Sequence, residues 1–242
     1  MNEDFVISTT KYDKWVANWK KQEYTSEPYP FFNHDGQVHT GVSFPFSSLS
    51  YLFSAVGVVT IKVRFGLREA SDGRPAQFYP VLFGVDNTDT IITPHFISSV
   101  FTYGQPEASP SESHGNLPMA LMERWKKQWY GKAEAKQVGV GMFTVNPQLD
   151  PENQGFLQGY SYPMKEMMAA VGALPGAASV HLLFGLHEYY SLPVTDGDER
   201  TSFNTFGLIL YAATESGQEG AGGKIISESG YYDFTAPCPF TC

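Results

Sequence analysis

Apolar residues near the start of the chain recur with the spacing of one helical face. These residues are Tyr12, Trp15, Val16 and Trp19. The spacing places their side chains on one stripe of a helix, which is the usual arrangement for a helix packed on a sheet. A threonine, Thr9 or Thr10, comes just before the stripe and can cap the first turn, so the pattern predicts a helix over residues 9–21.

Three strands and a second helix are predicted to follow. A short apolar stretch at 38–44 ends before a proline, which suits the first turn of a helix over 47–56. The stretches 58–67 and 77–85 are rich in β-branched and aromatic residues, and the segment between them carries turn residues. We expect the first two strands to run parallel with a right-handed connection and the third to be antiparallel.

The same order of elements recurs in the second half, which predicts an internal duplication. The stretches that begin at Val59 and Ala178 share Phe-Gly-Leu followed by one residue and a glutamate. We also match the Phe-Gly dipeptide at 83–84 with that at 206–207. A pair of tryptophans at i, i+4 opens each half, namely Trp15 and Trp19, then Trp125 and Trp129. The second copy is predicted to have helices over 118–130 and 164–171 and strands over 156–162, 179–188 and 202–212.

The expected fold class is α+β, with two α-β-α-β-β repeats that form a pseudo-twofold domain of mainly antiparallel, mixed sheets covered by helices. The first repeat spans 1–103 and the second 117–230. A Pro-, Ser- and Gly-rich segment at 104–116 is typical of an exposed linker. A tail that contains cysteines follows at 231–242. We expect the two repeats to pack as one globular unit.

Composition and charge exclude several functional classes. Hydrophobic residues make up 42% of the 242 residues and aromatic residues 15%, which is ample for a folded core. The 16 Lys and Arg against 25 Asp and Glu give a net charge of −9, so nucleic acid is not an expected partner. The chain has no run of about 18 apolar residues and its N-terminus is acidic, which predicts a cytoplasmic protein with no membrane partner.

The chain ends in Tyr231-Tyr-Asp-Phe-Thr-Ala-Pro-Cys-Pro-Phe-Thr-Cys242. This ending resembles the C-terminal signature of an uncharacterised bacterial family of small proteins. The family also has a Trp-x-x-Asn-Trp helix similar to residues 15–19, and strands similar to 61–67 and 82–86. Its pattern is a single copy, whereas this chain has two copies and has the cysteine tail only after the second. The resemblance supports the repeat boundaries and implies no activity.

The two cysteines, Cys238 and Cys242, are four positions apart in the tail, so no disulfide framework can hold the fold. A structural zinc site needs about four ligands, and no histidine pair has the usual short spacing to supply the rest. A redox pair normally has two intervening residues at a helix N-terminus, whereas this pair has three beside prolines. Three interpretations stay open: a structural or unpaired tail, a redox-active pair, and a metal site.

A cation and a carboxylate follow Phe-Gly-Leu in both copies, as Arg68-Glu69 and His187-Glu188. Strand ends often form ligand sites, and a cleft lined by these four residues would favour a ligand or an enzyme with His187 as base. The simpler interpretation is a solvated strand end whose charges prevent edge pairing. Similarly, the two tryptophan pairs (Trp15 and Trp19, Trp125 and Trp129) form either core stripes or an aromatic cage for a cation or a sugar.

No complete catalytic or nucleotide-binding motif is present, and no cofactor is predicted. For example, residues 41–45 and 159–163 lack the final glycine of a nucleophile elbow. The leading hypothesis is therefore a non-enzymatic module that binds a protein partner or a second copy of itself. The aromatic segment 24–32, if exposed, would serve as such a surface. The alternative is a thiol- or metal-dependent enzyme that uses the cysteine pair with His187 and Glu188.

Overall fold

The computed structural model describes residues 5–24, 28–34, 36–70, 76–98, 100–103, 117–145, 155–190, 202–216, 224–228, 232 and 236–238. Its helices are α1 (Thr9–Lys20), α2 (Phe46–Ser54), α3 (Met119–Glu134) and α4 (Met164–Gly172). Its strands are β1 (Val6–Ile7), β2 (Asn33–His34), β3 (Gln37–Pro45), β4 (Thr60–Arg68), β5 (Gln77–Val85), β6 (His95–Ile97), β7 (Val100–Tyr103), β8 (Thr144–Val145), β9 (Gly155–Phe156), β10 (Gly159–Pro163), β11 (Ser179–Tyr190), β12 (Ser202–Ser216), β13 (Lys224–Glu228) and β14 (Ala236–Cys238).

The strands form two large sheets and a small β8–β9 pair. Sheet I has the order β1-β6-β5-β4-β10-β14, and sheet II has the order β13-β12-β11-β3-β2, with β7 also paired to β3. Every pairing of named strands in the described residues is antiparallel. The α+β class is therefore confirmed. The prediction of parallel first and second strands is wrong, because β3 and β4 belong to different sheets.

The first long strand of each half joins the sheet of the other half. The first half is residues 1–103 and the second half is residues 117–242. Strand β3 pairs with β11 so that Pro45 lies opposite Ser179. Strand β10 pairs with β4 so that Pro163 lies opposite Thr60. Both pairings run from the proline back over the same five positions, so each sheet contains a strand from each half.

Helices α2 and α4 begin at backbone contacts with the opposite half. Each follows a proline that offers no side-chain cap, which leaves the first amide groups in need of acceptors. The amide of Phe46 donates to the carbonyl of Ala178 at 2.8 Å, and the amide of Met164 donates to the carbonyl of Val59 at 3.0 Å. These bonds hold both helix starts against the neighbouring sheet.

Aromatic side chains fill the space between the two sheets. The rings of Trp19 and Trp129 are fully buried there, with Phe65 and Phe184. Phe32 lies among them, at ring-centroid distances of 4.6 Å from Phe78 and 5.0 Å from Trp129. This end of the aromatic segment 24–32 is therefore core and not a binding surface.

The long helices cover the outer faces of the sheets. On sheet I, Tyr12 of α1 packs with Val81 and Phe83. On sheet II, Trp125 of α3 packs with Leu183. The hydroxyl of Ser8 caps the start of α1 by accepting a hydrogen bond from the amide of Lys11 at 3.3 Å. No helix in the described ranges is long and apolar enough to cross a membrane.

The Phe-Gly dipeptides at 83–84 and 206–207 do not occupy corresponding positions, so that match is wrong. Gly66 in β4 lies opposite Tyr79, whereas Gly185 in β11 lies opposite the glycine of the 206–207 dipeptide. The two dipeptides therefore lie at different registers of their strand pairs. The pairing shows that a glycine of the second half stands where the first half has a tyrosine.

The tail predicted at 231–242 contributes a strand to sheet I. Strand β14 pairs with β10 at the sheet edge, and this places the backbone of Cys238 opposite Gly159. Tyr232 forms an isolated bridge with Leu210 in sheet II. The tail therefore contacts both sheets, and Cys242 lies outside the described residues.

Buried His95 predicts a pH-dependent loss of stability. Its ring stacks on Tyr12 at 4.1 Å, and burial lowers its pKa below the ordinary value of 6.5, although Asp13 acts in the opposite direction. Because the unfolded chain then binds a proton more readily than the folded one, the free energy of unfolding should decrease as the pH falls below 6.5.

Urea unfolding of wild type and His95→Phe at several pH values tests this. The pKa values of Glu69 and Asp86 are also lowered, from ordinary values of 4.5 and 3.8. The stability that these two carboxylates contribute is therefore lost only at lower pH. We expect the variant to have a smaller pH slope between about pH 6.5 and 5. An unchanged slope would show that His95 does not cause the effect.

Candidate functional site

The site residues predicted from the sequence lie at two strand ends, one beneath each long helix. Arg68 ends β4 and Glu69 follows it, next to α1 on sheet I. His187 and Glu188 lie near the end of β11, next to α3 on sheet II. We refer to these as the first and second strand ends. The four residues thus form two groups, one on each sheet.

At the first strand end, Glu69 is held by two side chains of α1. Lys14 forms an ion pair with it at 2.6 Å, and Asn18 donates a hydrogen bond to it at 3.3 Å. These two bonds hold the pKa of Glu69 below its ordinary value, and the bond from Lys14 has the larger effect. Asn18 also donates to the carbonyl of Leu67 at 3.4 Å. Glu69 therefore links α1 to the end of β4.

A stack of side chains fills the rest of the first strand end. The guanidinium of Arg68 lies 5.1 Å from the ring centre of Tyr79 and donates to the Tyr79 hydroxyl and to Gln77. The indole of Trp15 lies on the Tyr79 ring at 5.3 Å. Trp15 approaches the backbone because Gly66 has no side chain, and a Cβ there would be 3.1 Å from the Trp15 Cβ. This strand end is closed by its own residues.

The second strand end has the same arrangement of a long helix over a pair of strands, but a glycine replaces the large tyrosine of the first strand end. Gly207 stands at the position of Tyr79, and the ring of His187 occupies the space above it, since a Cβ on Gly207 would overlap that ring. His187 stacks on Trp125 at 3.8 Å. Arg124 pairs with Glu188 at 3.6 Å, which is looser than the Lys14 pair at the first strand end.

Four buried polar atoms on α3 and near the start of β12 have no hydrogen-bond partner in the described structure. They are Trp125 Nε1, Gln128 Oε1, Asn204 Oδ1 and Thr205 Oγ1. In the strand pairing, Thr205 lies opposite His187 and Asn204 lies opposite Glu188. At the first strand end one comparable atom, Arg68 Nε, is unpaired. The second strand end therefore offers several hydrogen-bonding groups that the protein itself does not use.

The two predicted tryptophans of α1 have different environments. Trp19 is fully buried in the core and its indole donates to the carbonyl of Leu157 at 2.9 Å. Trp15 is half-buried and lies against Tyr79. Trp19 is thus part of the core stripe, and the two do not form an open cage.

The backbones of Cys238 and His187 lie in different sheets. Cys238 is in β14 at the edge of sheet I, whereas His187 and Glu188 are in sheet II. Among the residues that the structure describes, no group of three or more His, Cys, Asp or Glu side chains is placed to hold a metal ion. Cys242 lies outside the described residues, and the cysteine-based enzyme stays a prediction from the sequence.

Sequence reasoning missed Gln128, Asn204 and Thr205. Gln128 had a signal, because it stands where the first tryptophan motif has Asn18. The other two lie on β12 and become neighbours of His187 and Glu188 only through the strand register. An incorrect match of the Phe-Gly dipeptides concealed that register.

Comparison of the chain with protein-family models, with curated proteins and with solved structures finds no match.

Adding a methyl group at Gly207 should displace His187 from Trp125. We expect Gly207→Ala to lower the free energy of unfolding by about 1–3 kcal/mol, as overpacking of a buried site does. The matched control is Gly131→Ala in α3, where a Cβ would meet no atom within 4 Å. That variant should be more stable by about 0.5–1 kcal/mol. Urea unfolding measures both, and a neutral or stabilising Gly207→Ala would contradict the placement of His187.

Proposed function

We propose that the chain is a non-enzymatic binding module whose second strand end binds a small polar ligand. The observation that carries the proposal is that four buried polar atoms on α3 and near the start of β12 have no hydrogen-bond partner in the described structure. Folded proteins leave few such atoms unpaired, since each costs about 1–3 kcal/mol. A bound ligand that pairs with them would recover part of this cost.

The chemistry of the unpaired atoms indicates the class of ligand. Gln128 Oε1 and Asn204 Oδ1 accept hydrogen bonds, and the Glu188 carboxylate, whose side chain is 19% exposed, is a third acceptor. These groups suit a ligand with an ammonium or several hydroxyl groups. Trp125 Nε1 is a donor and suits a carboxylate or ether oxygen on the same ligand. A free amino acid has both an ammonium and a carboxylate, and a polyol has several hydroxyl groups that can donate to the acceptors and accept from the indole.

The carboxylate of Glu188 also disfavours some ligands. A phosphate ester would bring its negative charge next to the Glu188 carboxylate, and the two negative charges would repel each other. The cation paired with Glu188 is Arg124, at 3.6 Å.

A cytoplasmic location and membership of the bacterial family remain predictions from the sequence. Binding of a protein partner or of a second copy is the other form of the same hypothesis.

Native mass spectrometry can detect the ligand directly. Wild-type protein is incubated with a mixture of free amino acids and with a mixture of polyols, and we expect one of them to add the mass of a single bound molecule. Thr205→Val and Gln128→Leu should lose this signal, because each removes an unpaired polar atom.

The matched control is Asn18→Leu at the first strand end, which should bind as wild type does. Binding that is equal in Thr205→Val, or no binding of either mixture to wild type, would contradict the proposed site.

The unpaired polar groups should also lower the free energy of unfolding of the ligand-free protein. Thr205→Val replaces the hydroxyl by a methyl group of similar size, so it removes an unpaired buried group without leaving a cavity. We expect the free energy of unfolding to rise by about 1 kcal/mol. Asn18→Leu should lower it, because Asn18 donates to Leu67 and Glu69. Urea unfolding without ligand measures both, and a destabilised Thr205→Val would mean that this hydroxyl is a structural group.

A further inference from the structure

We propose that the two halves of the chain are the two partners of one interface, so that each half is completed only by the other. The interface that each half presents fits a second unit of the same architecture, in the way that one subunit of a symmetric dimer fits its copy.

Strand exchange is the first observation. Strand β10 of the second half lies in sheet I between β4 and β14, and β3 of the first half lies in sheet II next to β11. Without the second half, β4 would become an exposed edge. Its core residues Val63 and Phe65, both fully buried, would lose the strand and the opposing sheet that cover them.

Two buried indoles provide the second observation. Trp19 of the first half donates to the carbonyl of Leu157 in the second at 2.9 Å, and Trp129 of the second half donates to the carbonyl of His39 in the first at 2.8 Å. Leu157 and His39 each lie two residues before the glycine that begins the five-residue strand pairing. In a symmetric interface, residue i contacts residue j and residue j contacts residue i, and these bonds follow that rule.

Corresponding residues of the two halves also make the same contacts within their own half. Gly66 and Gly185 each lie under a tryptophan of their own half, and a Cβ added at either glycine would be 3.1 Å from the Cβ of that tryptophan, Trp15 or Trp125. Each half therefore keeps its own helix on its own hairpin, and what it receives is a strand and a hydrogen-bond acceptor for its buried indole. The interface is consequently part of the core of both halves.

Cleavage of the folded full-length chain tests this inference. A site-specific protease sequence is inserted into the linker predicted at 104–116, and the purified, folded protein is cut. We expect the two fragments to elute together at the mass of the intact chain and to unfold in one cooperative transition. Elution as two separate folded monomers, each with its own transition, would overturn the proposal.

Tryptophan variants of the cleaved protein test the mechanism. Trp19→Phe and Trp129→Phe each remove a hydrogen bond that crosses the interface, and we expect the dissociation constant of the fragments to rise about tenfold. Trp15→Phe is the matched control, because Trp15 contacts Gly66 and Tyr79 within its own half. It should leave the dissociation constant nearly unchanged. An equal effect of all three substitutions would overturn the role of the crossing bonds.

Discussion

The hydrogen bonds of two buried indoles are the interaction on which the rest of the structure depends. Each indole is fully buried in the aromatic core and has its acceptor on the strand that the other half contributes or just before it. A buried N–H group without a partner costs more free energy than the bond itself adds, so each indole favours the state in which the strand from the other half is in place. Trp19 and Trp129 thereby link the packing of the core to the exchange of strands. This arrangement also fixes where the two strand ends lie beneath α1 and α3.

Local patterns predicted most of the elements, because period and turn residues are properties of short stretches. The helix expected at 9–21 is found at Thr9–Lys20, and the strand expected at 77–85 has those bounds. The pairing of strands was predicted wrongly, since a strand-helix-strand order normally returns the chain to the same sheet. Here the core tryptophan of each half needs a carbonyl from the other half, and no local pattern contains that requirement. The short edge strands, such as β14, were missed because they have too few residues for a period.

The candidate site was predicted in part. His187 and Glu188 were found because they follow a repeated tripeptide, whereas Thr205 and Asn204 depend on the register between β11 and β12. The two strand ends differ because the second has a glycine, Gly207, at the position where the first has the large side chain of Tyr79. With a tyrosine the space is filled and most polar groups are paired. With Gly207 the histidine moves into that space and the neighbouring polar atoms have no partner in the described structure.

Hydrogen exchange of the indole protons, followed by NMR on protein labelled with ¹⁵N-tryptophan, tests the central claim most directly. The account predicts that the Nε1 protons of Trp19 and Trp129 exchange at the same slow rate, with a free energy equal to that of global unfolding. Both bonds can break only when the exchanged strands separate. Faster exchange of either proton through a local opening would contradict the account, since one half could then release its acceptor strand while the other stayed folded.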